Sequence, residues 1–150
     1  MSVKLYHNDM FEVLKNIEPQ SIDLLLTDFP YGTLKKDRNQ WDQVIQNFAD
    51  SRYWDDAWEQ KAYTQWAFLS QYPQAIQTLL DFVAAAPNNA RAGEFLYDAA
   101  QVADRSGDLA QAVQIYERVA AEYPGYEQAP RALFLAGVTR DRKSTRLNSS

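Results

Sequence analysis

Cysteine is absent from this 150-residue chain, and histidine occurs once, at His7. A zinc site needs four Cys or His ligands, or three and a water, so zinc is excluded. A disulfide framework is impossible. The same absence permits a cytosolic address. Glycine is also scarce: the five residues stand at 32, 93, 107, 125 and 137 and form no Gly-x-Gly cluster after a strand. Neither a phosphate-cradling loop nor a dinucleotide fingerprint is therefore present. No apolar run approaches membrane-spanning length. Residues 1–9 lack the apolar region of a secretory signal, so the expected location is cytoplasmic. Basic charge is in deficit, with 15 Lys and Arg against 20 Asp and Glu. No basic face large enough to track a phosphate backbone stands out.

What is present divides into two unlike regions and a tail. Val3 to Tyr6 alternates like a strand, and Asn8 or Asp9 can cap a helix whose apolar residues are Met10, Phe11, Val13, Leu14 and Ile17. Glu18-Pro19-Gln20-Ser21 ends that helix, and residues 22–27 read as a second, buried strand. The expectation for residues 1–34 is a small right-handed β-α-β fragment. An acid, a proline and an aromatic (Asp28, Pro30, Tyr31) then gather where open α/β sheets place their ligands. Residues 35–52 are read as a polar loop or junction around Trp41.

From residue 53 the composition turns to Ala, Gln, Tyr and Trp at helical spacing. A repeat of 37 residues emerges: Ala75 aligns with Ala112, Ile76 with Val113, Leu79 with Tyr116, Phe82 with Val119 and Pro87 with Pro124. The same offset relates Trp58 to Phe95, Ala62 to Ala99, Leu96 to Leu133 and Ala100 to Gly137. Each of the two prolines follows a helix and blocks its continuation. Gly107-Asp108 makes a tight interhelix turn. The spacing predicts five helices, at about 53–70, 74–86, 90–105, 109–122 and 127–140, or two and a half helical hairpins. Trp54, Trp58, Tyr63, Trp66 and Tyr72 form an aromatic stripe, expected to pack between helices rather than to line a binding groove. Asp55, Asp56 and Glu59 make an acidic helix start that suits the helix dipole and needs no metal. His7 could act as a general base, though a lone histidine near a strand end is expected to be structural.

Residues 53–140 resemble tetratricopeptide repeats, best in the second unit, where Leu96, Ala100, Gly107, Ala112, Tyr116 and Pro124 fall at the small, large and helix-ending positions. That resemblance implies a mainly α fold and a face that binds a protein or peptide segment. Residues 3–45 resemble the start of amino-group DNA methyltransferases. The likeness runs through Leu5 to Leu14, through Ser21 to Gly32, and on to Trp41-Asp42. It implies transfer of a methyl group from S-adenosylmethionine to adenine N6 or cytosine N4, with DNA as substrate. Asp28 and the carbonyl of Phe29 would accept the amine hydrogens, Pro30 would hold the turn, and Tyr31 would stack on a flipped base. Phe29 replaces the first proline of the family's motif, and the glycine-rich donor loop is missing, so the segment is expected to be inactive and to hold no cofactor as written. Residues 141–150 resemble the in-frame translation of a sequencing adapter and are expected to be a disordered tail.

Two functions follow as expectations. One is a helical-repeat protein interaction module fused to an inactive, truncated methyltransferase-like segment, the whole being a chimeric gene fragment. The alternative is a fragment of an S-adenosylmethionine-dependent DNA methyltransferase.

Overall fold

The computed structural model describes residues 40–148. The expected β-α-β fragment, His7 and the Asp28–Tyr31 cluster lie outside these residues. Within them the fold is mainly α, a tetratricopeptide-like array of antiparallel helices. The helices are α1 (Gln40–Asn47), α2 (Trp54–Tyr63), α3 (Tyr72–Ala85), α4 (Ala92–Ser106), α5 (Leu109–Glu122) and α6 (Ala129–Asn148). A π-helical turn, Thr64–Phe68, extends α2. No strand occurs among the described residues.

Each helix packs on the next, and α4 also touches α6, so the hairpins α2–α3 and α4–α5 stack with α6 as a further half-hairpin. One apolar cluster runs through them, from Trp58 and Ala62 through Phe82, Phe95 and Tyr116 to Ala132 and Ala136. The aligned small residues Ala62, Ala75, Ala99 and Ala112 are buried, which lets the helices approach closely. Phe82 of α3 stacks on Phe95 of α4 with ring centroids 3.7 Å apart, joining the first hairpin to the second.

The ends of the second hairpin follow from its turn residues. Gly107 takes φ 87°, a left-handed conformation that glycine adopts without a Cβ penalty. Asp108 then caps α5, its carboxylate accepting from the Gln111 N–H at 3.0 Å. Pro87 and Pro124 each lie just beyond a helix, as their chemistry requires.

Two expectations are corrected. Residues 40–47, read as part of a loop, are helical. Trp41, Val44, Ile45 and Phe48 recur at helical spacing and turn a half-buried side toward the array. The Trp54 indole N–H donates to the Ile45 carbonyl at 2.9 Å, and Lys61 pairs with Asp42 at 2.5 Å, so α1 is fastened to α2. The tail was expected to be disordered from residue 141, yet α6 continues to Asn148. The residue 37 positions after Gly107 is Ser144, which stays helical, although Ser70 at the same repeat position takes a left-handed conformation. Arg142 adds an ion pair to Asp104 of α4 at 2.8 Å.

No helix among the described residues is long and apolar enough to cross a membrane.

Candidate functional site

Helices α2 and α4 leave a groove of about 300 Å³ between them. Glu59, Tyr63 and Trp66 come from α2 and its π-turn at one-turn spacings, so they share a face. Asp98, Gln101 and Arg105 do the same on α4, and Leu79 of α3 closes the floor.

The groove's aromatic wall exists because the repeat fails there. At the 37-residue offset, Tyr63 and Trp66 correspond to Ala100 and Ala103. Those alanines are buried, whereas Tyr63 is 43% exposed and Trp66 is half-buried. Two large rings cannot occupy positions where helices touch through alanine. The backbone widens instead into the π-turn, where the Leu69 N–H reaches back five residues to the Thr64 carbonyl at 3.2 Å. Tyr63 meets Trp66 edge-on at 5.4 Å and Phe68 at 5.6 Å, so the rings brace one another at the surface. The Arg105 guanidinium lies 4.9 Å from the Trp66 ring centroid.

The charged side of the groove is asymmetric. Arg91 is saturated: it donates to Glu94 at 2.9 Å and to Glu59 at 2.7 Å, and reaches Asp56 at 3.2 Å. The hydrogen bond from Arg91 holds the Glu94 carboxyl below its usual range, and the same contact raises Arg91. Asn89 donates to Asp55 at 3.1 Å, so the acidic start of α2 clamps the start of α4. Asp98 is different. It makes no hydrogen bond or ion pair among the described residues, and burial, with Glu94 and Glu59 nearby, pushes its carboxyl up to about 6. The groove therefore presents a half-buried acid next to an aromatic pair.

The aromatic stripe read from the sequence divides. Trp58 is core, and Trp54 packs against Phe82 at 5.4 Å. Tyr72 also packs against the core. Trp66 packs against the core as expected and also lines the groove, whereas Tyr63, expected between helices, is exposed at the groove's edge. The signal was legible in the repeat, where rings stand opposite alanines. Asp98 left a similar trace: it corresponds to Lys61 one unit earlier, which has Asp42 for a partner. No group of three acidic, histidine or cysteine side chains able to hold a metal occurs among the described residues.

The tetratricopeptide repeat model matches residues 94–126. That span runs from within α4 to just past α5 and contains Leu96, Ala100, Gly107, Ala112, Tyr116 and Pro124, the residues that carry the resemblance. It is the one hairpin whose turn, cap and terminal proline all follow the pattern. No curated protein and no solved structure matches the chain.

Proposed function

We propose that the helical array is a protein interaction module that takes an extended protein or peptide segment along the groove between α2 and α4. The observation that carries this reading is the groove itself: the exposed Tyr63 ring and the half-buried Trp66 ring share it with an Asp98 carboxylate that has no ion-pair partner among the described residues, Arg91 and Arg105 acting on it only from a distance. An apolar side chain would cover the rings, and a Lys or Arg of the same segment would pair with Asp98. Glu59, Asp56 and Glu94 keep the surrounding field negative, which favours a basic segment on approach.

Selection of peptides from a random library against the full chain tests this. Enriched peptides should combine a basic with an apolar residue and should lose binding to Trp66→Ala and Asp98→Asn. Peptides that bind both variants as well as the parent chain would sink the groove as the docking site.

We further propose that residues 3–45 are an inactive methyltransferase-like segment joined to the repeat in a chimeric chain. Asp28, Phe29, Pro30 and Tyr31 would then be the relic of an amine-accepting site for DNA. Calorimetric titration with S-adenosylmethionine should show no heat of binding. Sequencing reads that run continuously across codons 40–55 in a natural genome would contradict the chimeric origin.

A further inference from the structure

Two side chains of the groove carry opposite charges and have no ion-pair partner among the described residues. One is Asp98, and the other is Arg105, whose guanidinium rests over the Trp66 ring. The charges around them are paired: Arg91 holds Glu59, Glu94 and Asp56, Lys61 holds Asp42, and Arg142 of α6 holds Asp104. Asp98 and Arg105 do not pair with each other. Two turns of α4 separate them on one face, about 10 Å along the helix, and Gln101 stands between. One unit later the two positions hold Leu135 and the paired Arg142, so the arrangement does not recur there.

The two charges mark opposite ends of the groove. From Arg91 to Arg105, the contacts on the α2 side advance from Glu59 to Trp66, so the two helices run in one direction past it. Asp98 and Glu59 stand at the first end, Arg105 at the far end, and the exposed Tyr63 ring between them. An apolar strip such as Leu133 and Phe134 on α6, 59% and 69% exposed, does not name its occupant. The groove does, through charge. With the groove as the docking site, a reading on which this inference rests, we propose that the bound segment is zwitterionic. Its Lys or Arg pairs with Asp98, its Asp or Glu pairs with Arg105, and an apolar residue between them covers Tyr63. A guanidinium over a ring keeps its edge donors free to take a carboxylate. The spacing sets the register. A polyproline II segment has three residues per turn and rises about 3.1 Å per residue, so residues three apart lie on one side about 9 Å apart. The segment also acquires a direction, because laid the other way it would set like charges together.

The test uses the full chain and fluorescein-labelled peptides, followed by fluorescence anisotropy. The peptides are Gly-Gly-Arg-Leu-Pro-Glu-Gly-Gly, its reverse Gly-Gly-Glu-Pro-Leu-Arg-Gly-Gly, and each with Gln in place of Glu. One of the first two should bind saturably and more tightly than the other. Its Gln form should bind about two- to fivefold more weakly, the range of an exposed ion pair. Arg105→Gln should weaken the Glu peptide by the same factor and leave the Gln peptide unchanged, since the two losses are one contact. Circular dichroism of Arg105→Gln should match the parent, because the side chain is exposed. If the Gln form binds as tightly as the Glu form, if both directions bind equally, or if Arg105→Gln tightens binding, the proposal is overturned. The groove itself still stands in those cases if Trp66→Ala abolishes binding. If no peptide binds, or if Trp66→Ala binds them all unchanged, the groove is lost as the docking site and the zwitterionic segment with it.

Discussion

The two hairpins are built to one plan and stabilised in two ways. The second, α4–α5, buries its rings Phe95, Tyr97 and Tyr116 among small and aliphatic residues, with alanines at 99, 100, 103 and 112 and Val119, and it turns on Gly107. The first, α2–α3, has the same length between equivalent positions but puts Trp58 and Phe82 where the second has Phe95 and Val119. Tyr63 and Trp66 stand where the second has alanine. Inside the first hairpin the Thr78 hydroxyl donates to the Gln65 side-chain oxygen at 2.8 Å. One unit later the same two positions are Ile115 and Val102, both in the core. The first hairpin thus trades packing economy for exposed rings and polar contacts, and the groove is a product of that trade. A repeat can hold its architecture while one unit departs from the shared pattern to open a groove.

The largest expected effect lies at the paired positions Phe82 and Val119. Phe82 is fully buried and touches three rings: Phe95 at 3.7 Å, Trp54 at 5.4 Å and Trp58 at 6.1 Å. Phe82→Ala should cost about 3–5 kcal/mol in urea denaturation, because a large cavity opens between two hairpins. Val119→Ala removes fewer atoms and should cost less. Equal losses at the two sites would show that the aromatic cluster does not carry the junction.

Asp98 sharpens the comparison next. Its counterpart Lys61 has an ion-pair partner, and Asp98 has a carboxyl raised from 3.8 to about 6. A raised acid binds more protons in the folded chain, so stability falls as pH rises from about 4 to 6 and stays lower above that window. Asp98→Asn removes the ionised form. It should therefore stabilise the chain by about 1–2 kcal/mol near neutral pH, after allowance for solvent screening, and by little near pH 4. Parallel urea denaturation at the two pH values checks the sign. A variant equally stabilised at both would mean that the carboxyl is not the cause.

What the sequence makes legible depends on whether the signal is periodic. The positions of five helices, the burial of Ala75 and Ala112, and the turn at Gly107-Asp108 all follow from spacing and turn chemistry. Helix α1 is hard to read because its three apolar residues, Trp41, Val44 and Ile45, follow a polar run, and composition over that window outweighs their period. The same period that places Trp58 and Trp66 against the core also points Tyr63 there, where it does not go. Periodicity tells which residues share a side of a helix; it does not say that a ring is too large for the contact its neighbours make. The exposure of Leu133 was equally hidden, since its alignment with buried Leu96 is a statement about pattern, and burial needs a covering helix. Residue 144 shows the converse: the repeat marks where a turn would come, and Ser144 lets the helix run on.

The smallest effects belong to that same position, which occurs as Ser70, Gly107 and Ser144 in successive units. Ser70 has φ 54° and Gly107 φ 87°, so both end a helix in the left-handed region. A side chain there costs about 1–2 kcal/mol, and glycine avoids it. A Cβ added at Gly107 would meet nothing within 4 Å, so Gly107→Ser should lose stability through backbone conformation alone, by about 1 kcal/mol. Ser70→Gly should gain, but by only about 0.5–1 kcal/mol, because glycine also widens the unfolded ensemble. The turn must also remain where it is, since the Gln71 N–H donates to the Gln65 carbonyl at 2.7 Å and closes the end of the π-turn. Opposite signs for the two exchanges in thermal denaturation would show that one backbone rule governs both hairpins. A loss at both sites would instead mean that Ser70 is held by its side chain and that the first turn has a chemistry of its own.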